Sequence, residues 1–387
     1  MPMECPIHHF TGRCEGFGGR RNDIPVTSLQ RAASSLNQVR QMASTLVQIS
    51  TGTPSPASLA RHVISQLPLV VLFPHNQCNC RCVMCDIWRI RQKRQIETED
   101  LIPHLASLRA LGTRWVALSG GEALLHDDLG GFLQLLRGEG IYITLLSTGL
   151  LLRQKAELVS RIVDEVVVSL DGPRETHNAI RRVRNAYELM AEGIAKLRAL
   201  RPEMTISARS TVQKNNFRHM PRTVDAAREL GLNSISFLAV DATSAAFNHV
   251  DGWEEHDQAR VLMTADEVVE LADLLDRMSV EFAEEFRSGF IQESPEKMRR
   301  IVRHFRAALG QTEAVAPRCN APWVSAVVES DGTVRPCFFH AAIGNIHEQP
   351  LSEIVNGEAA LRFRAGLDIA LNETCRRCVC SLYYTPD

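Results

Sequence analysis

The densest chemistry in the sequence lies in Cys78-Asn-Cys-Arg-Cys-Val-Met-Cys85, where four thiols fall within one short stretch. Cys78, Cys82 and Cys85 are spaced C-x3-C-x2-C, which lets three thiolates from a single loop converge on one metal cluster. An electron-transfer cluster is usually closed by four cysteines, so three protein ligands on a four-iron cluster leave one iron open for chemistry. Cys80 lies off that register and reads as a buried thiol rather than an alternative ligand. With Cys380 it stands as a candidate catalytic thiol. A zinc knuckle is the competing reading of this group, with His75 or Cys80 as fourth ligand.

A second group, Cys319, Cys337, Cys375, Cys378 and Cys380, is spread over the end of the chain. Gly332 precedes Cys337 in a G-x4-C arrangement, and Cys375-Arg-Arg-Cys378 follows a helical stretch. A structural four-cysteine zinc site competes here. The 387 residues can bury a core without covalent staples, so size does not explain eleven cysteines. The start of the chain lacks the zones of an export signal, which leads us to expect a reducing cytoplasm, where clustered cysteines mean metal more often than disulfides. A formal charge of −2 provides no global field for nucleic acid or an anionic membrane, and neither is expected as a partner. Apolar runs such as Pro68 to Phe73 fall far short of the roughly 20 residues a membrane helix needs.

Residues 1–25 show no apolar period and are expected to form a flexible tail; 26–67 form an N-terminal helical extension, with Leu29, Leu36, Val39, Ala43 and Leu46 on one face. From residue 68 short β-branched runs alternate with helical patterns. Strands are expected at 69–73, 114–119, 141–146, 164–170, 204–212 and 233–239, and helices at 98–110, 124–138, 152–160, 184–200, 216–230 and 264–287. Strands without alternation, separated by helices, predict an α/β fold: a partial barrel over 68–240 whose ligand sits at the carboxyl ends of the strands. A helical connection is expected over 241–316 and a small α+β module over 317–387. In that module Val324 to Glu329, the turn Ser330-Asp-Gly332 and Thr333 to Arg335 predict a β-hairpin, followed by a helix near 351–364.

The cysteine spacing directly after the first strand, with Asn79, Arg81 and Asp86-Ile-Trp88, resembles the radical S-adenosylmethionine (SAM) superfamily. The resemblance implies a partial (β/α)6 barrel and a four-iron cluster on Cys78, Cys82 and Cys85. It further implies S-adenosylmethionine on the open iron, cleaved reductively to a 5′-deoxyadenosyl radical that abstracts hydrogen from substrate. Met84 stands where the family usually has an aromatic near the adenine. The segment Ser119-Gly120-Gly121-Glu122 at the second strand end resembles the family contact to the cofactor amino group. Ser147, Ser169, Asp171 and Arg209 match later strand ends as cofactor contacts. The C-terminal module resembles the twitch version of the auxiliary-cluster (SPASM) domain, which implies one further four-iron cluster on Cys319, Cys337, Cys375 and Cys378, with Cys380 as a substitute for Cys378 or a free hydrogen donor.

Family frequency favours a peptide or protein side chain as substrate; a small sugar or cyclitol alcohol is the alternative, and a noncatalytic metal-binding protein the reading from another class. Residues 1–67 show no winged-helix pattern of the kind that recognises peptides. The basic run Arg89, Arg91, Lys93 and Arg94 offers a dock for an acidic flavodoxin or ferredoxin, but such runs are commonly solvated faces. The same reservation holds for Arg181, Arg182 and Arg184 as a site for an anionic substrate. His8, His9, Cys5 and Cys14 match no metal spacing, and Tyr383 and Tyr384 read as packing aromatics near the second cysteine group.

Overall fold

The computed structural model describes residues 56–249 and 252–385; the expected tail at 1–25 and most of the helical extension at 26–67 lie outside them. The apolar, β-branched runs become six parallel strands: β1 Leu69–Leu72, β2 Trp115–Leu118, β3 Tyr142–Ser147, β4 Glu165–Ser169, β5 Thr205–Val212 and β6 Ser234–Ala239. Each pairs with the next in sequence, β1 to β6, as βαβ units require. Helices cover the outer face, and the core forms where Phe132, Leu133 and Leu136 of Leu129–Gly138 and Ile194 and Leu197 of Ala186–Leu200 bury against the sheet. Each such side chain contributes about 1.5–3 kcal/mol by leaving water.

The helices differ from the expected spans where local chemistry interrupts the period. The run 98–110 divides into Thr98–Leu101, a 3-10 turn Ile102–His104 and Leu105–Ala110, because Pro103 removes a backbone donor. The expected start at 124 moves to Leu129, where the Asp128 side chain caps Gly131 N at 3.0 Å. The helix Arg174–Arg181, which begins after Pro173, was not expected; within the expected helical connection, Pro295–Ala308 begins with a Ser294 cap on Lys297 N and buries Met298, Ile301, Val302 and Phe305. The helix expected near 351–364 becomes Leu351–Ile354 and Glu358–Gly366, parted at Gly357.

The C-terminal module does not stand apart from the barrel. Strand β7, Ser325–Val328, lies parallel to β1 on the edge away from β2, with Leu69 opposite Ser325 and Leu72 opposite Val328. The expected hairpin follows as β8, Thr333–Arg335, and β9, Gly344–Asn345, adds an antiparallel edge, giving one nine-stranded sheet ordered β6-β5-β4-β3-β2-β1-β7-β8-β9. Gly332 turns the hairpin at φ +82°, and a Cβ there would meet the His347 ring at 2.5 Å. Arg364, 2% exposed, ties the module to the N-terminal segment by donating to the His62 and Val355 carbonyls.

Candidate active site

The loop after β1 is held by backbone groups from neighbouring units. Arg81 N and Val83 N donate to the Arg181 and Ile180 carbonyls, both at 3.0 Å, so the cysteine loop satisfies the orphan carbonyls that end the helix Arg174–Arg181. Downstream, Trp253 Nε1 donates to Asp86 Oδ2 at 2.8 Å and Asn248 Nδ2 to the Asp86 carbonyl at 3.0 Å. Cys78, Cys82 and Cys85 thereby come to one wall of a cavity of about 200 Å³ at the carboxyl ends of the barrel strands. Met84, Gly120, Gly121, Ser147, Ser169 and Arg209 share the wall, as the sequence leads one to expect.

Three expected site residues stand elsewhere. Glu122 is fully buried and absent from the cavity wall. Its carboxylate accepts from Ser147 Oγ at 3.0 and 3.1 Å, Thr148 N at 2.8 Å, Thr148 Oγ1 at 2.6 Å and Leu124 N at 3.1 Å. Burial pushes its pKa up while these donors pull it down. Glu122 therefore fixes the β3 end. The two glycines are small for a related reason. A Cβ on Gly121 would lie 2.2 Å from the Gln77 carbonyl and one on Gly120 2.8 Å from Phe73, so what they admit is the cysteine loop itself.

Asp171 is the second correction. It is 0% exposed, accepts from Thr211 N at 3.0 Å and pairs with Arg181 Nη2 at 2.6 Å. Arg181 is on the cavity wall in its place, with Nη1 3.5 Å from Cys82 Sγ. Burial opposes the Arg181 charge, but Asp171 and the loop sulfurs more than restore it. A hydrogen bond from Cys80, with the Arg181 charge behind it and burial opposing, brings the Cys82 thiol down to about 7.

Cys80 is the third correction. It is 1% exposed and off the wall, and its hydrogen bonds to Cys78 and Cys82, with burial, hold its pKa far above the thiol range. It is a packed thiol beneath the loop, not a group that meets substrate. Sequence reasoning passed over Thr148 and Asp241, both on the wall. Their signal was position: each directly follows a strand end.

The second cysteine set is assembled from three segments. Cys319 precedes the short helix Ala321–Val324, Cys337 follows β8, Cys375 lies in the short helix Glu373–Arg376, and Cys378 comes just after it. Cys319, Cys337, Cys375 and Cys378 line one small space of about 30 Å³, and Cys380 is not on it. Burial raises Cys337 to about 12 and Cys375 to about 11, so a metal must displace their protons. Cys378 Sγ donates to the Cys380 carbonyl at 3.0 Å. The Cys380 side chain is accessible to water, yet surrounding protein raises its pKa, with Arg209 and Asp241 as charged neighbours.

The residues fit a cluster with a nucleotide cofactor: three soft donors share an open cavity, and Asn79 Nδ2 and Arg181 Nε beside it are buried without a protein partner. No helix among the described residues is long and apolar enough to cross a membrane.

Comparison with known proteins agrees with this geometry. Residues 72–227 match the model of the radical SAM superfamily and residues 319–379 that of the SPASM iron–sulfur cluster-binding domain. The Fe-coproporphyrin III synthase of Methanosarcina barkeri is 25% identical over 84% of this chain and 83% of its own length. The PqqA peptide cyclase of Ruegeria pomeroyi is 23% identical over 78% of this chain and 77% of its own. In fold the chain is similar to Streptococcus suis SuiB bound to its precursor peptide SuiA, with a TM-score of 0.59 and 14% identity over 94% of this chain and 80% of that one. The chain belongs to the radical SAM superfamily, and is an iron–sulfur, S-adenosylmethionine-dependent enzyme carrying a C-terminal SPASM domain.

Proposed function

We propose that the enzyme abstracts hydrogen from a side chain of a peptide or protein. In this reading Cys78, Cys82 and Cys85 hold the catalytic four-iron cluster, and Cys319, Cys337, Cys375 and Cys378 hold one auxiliary four-iron cluster. The carrying observation is the placement of the three loop sulfurs on a cavity at the strand ends, with the other four around a smaller space of their own. When bound, the reduced cluster and S-adenosylmethionine supply a 5′-deoxyadenosyl radical; the protein supplies position and exclusion. Arg181 holds positive charge against the Cys82 sulfur, Glu122 fixes Ser147 and Thr148 on the wall, and Met84 packs beside the cysteines. Arg209 is steadied by donating from Nε to Ser236 Oγ at 3.2 Å. The electron comes from a flavodoxin or ferredoxin, in a reducing cytoplasm.

Two relatives support a peptide substrate: one is named a peptide cyclase, and the SuiB structure holds a precursor peptide. A second reading is a tetrapyrrole substrate, favoured by the larger share of the chain, 84% against 78%, matched by the relative named for Fe-coproporphyrin III. Anaerobic reconstitution should load about eight irons per chain and give dithionite-dependent 5′-deoxyadenosine. Supplying extracts of perdeuterated cells, divided into protein and low-mass fractions, then identifies the substrate class. Deuterium in the 5′-deoxyadenosine from the protein fraction is expected. Label from the low-mass fraction alone rejects the peptide reading, and a protein that never cleaves the cofactor rejects the whole assignment.

A further inference from the structure

A larger space than the cofactor cavity, about 590 Å³, lies between the helix Pro295–Ala308 and the C-terminal module, and its size suits an organic substrate. Its wall carries Arg300, Arg303, Arg318, Arg376 and Arg377 against one carboxylate, Glu313. Glu313 is engaged by Arg376 at 2.9 Å, and Arg377 pairs with Glu373 at 2.6 Å. Arg300 and Arg303 face the space with no ion pair or side-chain hydrogen bond among the described residues. Burial and the neighbouring Arg303 charge lower the Arg300 pKa, against the opposing pull of Cys378 and Cys319. Cys378 is the one auxiliary-set sulfur on this wall.

The space also leads to the chemistry. It shares Thr243, Arg377 and Cys378 with a second cavity of about 280 Å³, which in turn shares Asp241 with the cysteine-loop cavity.

We propose that this arginine-lined cavity anchors the substrate by its carboxylates, so that the substrate is a molecule bearing two or more of them, held by Arg300 and Arg303 with its reacting carbon extended past Asp241. Guanidinium groups recognise carboxylates in bidentate fashion, and a cleft lined by one sign of charge focuses the field on its ligand. The inference rests on the radical-enzyme reading and adds the substrate class. Acidic peptides and tetrapyrrole propionates share this chemistry.

The reconstituted enzyme is titrated with hexaglutamate, hexaglutamine and coproporphyrin III, with Kd read by fluorescence or calorimetry. At least one carboxylate probe should bind, hexaglutamine should not, and affinity should fall as sodium chloride rises. Arg300→Gln/Arg303→Gln should weaken that binding on the order of ten-fold or more, while 5′-deoxyadenosine formed without substrate stays at the parent rate. Hexaglutamate alone binding assigns an acidic peptide, coproporphyrin III alone a tetrapyrrole. Failure of both probes, binding unaffected by salt, or equal binding by the double variant overturns the anchor. Should the double variant lose iron, single Arg303→Gln and the parent's salt dependence still decide. Parent enzyme that forms no 5′-deoxyadenosine defeats the radical reading, separately from the binding result.

Discussion

In the barrel loop three cysteines come from one run of eight residues and end on an open cavity, whereas the module draws four from three separated segments around a space of about 30 Å³. The loop owes its shape to neighbours: helix-end carbonyls, the Gly120-Gly121 turn and a buried Asp171–Arg181 pair behind Cys82. The module owes its shape to the hairpin and to burial of the thiols themselves. The difference teaches that a site meant to bind a further molecule is stiffened from behind, leaving its front bare, while a site meant to be closed is ringed by its own ligands.

The comparison breaks most decisively if the loop cysteines are dispensable. Replacing Cys78, Cys82 and Cys85 together by alanine should abolish 5′-deoxyadenosine and leave about half the iron, held by the module; nucleoside from that variant would end the assignment. Next in size, Cys337→Ala should lose about half the iron while keeping substrate-free cofactor cleavage, and Cys380→Ala should keep both. Iron loss on replacing Cys380 instead of Cys378 would redraw the ligand set.

A third variant separates stiffening from ringing. Asp171→Ala leaves Arg181 buried without its anion and should cost about 3–5 kcal/mol in urea unfolding of the apo protein. Glu329→Gln, in the module, breaks a partly exposed pair with Arg335 and should cost about 1 kcal/mol or less. Equal costs would remove the distinction.

The smallest effect concerns pH. The barrel buries Glu122 and Glu165, and in the module desolvation brings the buried Arg364 down to about 10. Burial, partly relieved by Thr144 and Arg209, raises Glu165 from 4.5 to about 8. Between those values the folded chain keeps a proton that the unfolded chain has released, so stability falls as pH rises through that window. Glu165→Gln should therefore raise the apo Tm by a few degrees near pH 8.5 and by little near pH 5; a gain that is equal at both would reject the assignment.

Much of this was legible because it is local. All six barrel strands follow from short β-branched runs, and Asp331-Gly332 announces the hairpin. The three loop sulfurs were readable from spacing, whereas the jobs of Glu122 and Asp171 were not, because each is decided by residues on other strands: Ser147 and Thr148 for one, Thr211 and Arg181 for the other. The helix that brings Arg181 had a signal in Pro173, and Pro295–Ala308 had one in its apolar spacing at 298, 301, 302 and 305. The β1–β7 pairing had none, since parallel contacts across so long a separation leave no mark on either segment.

That last pairing carries a consequence for how the molecule is made. One flank of β1 stays raw until Ser325 to Val328, from far downstream in the chain, arrive. The shelf beneath the metal loop is thus finished last, and iron delivered during synthesis meets an unfinished receptacle. A chain cut short ahead of β7 exposes a sticky seam rather than a smaller working enzyme.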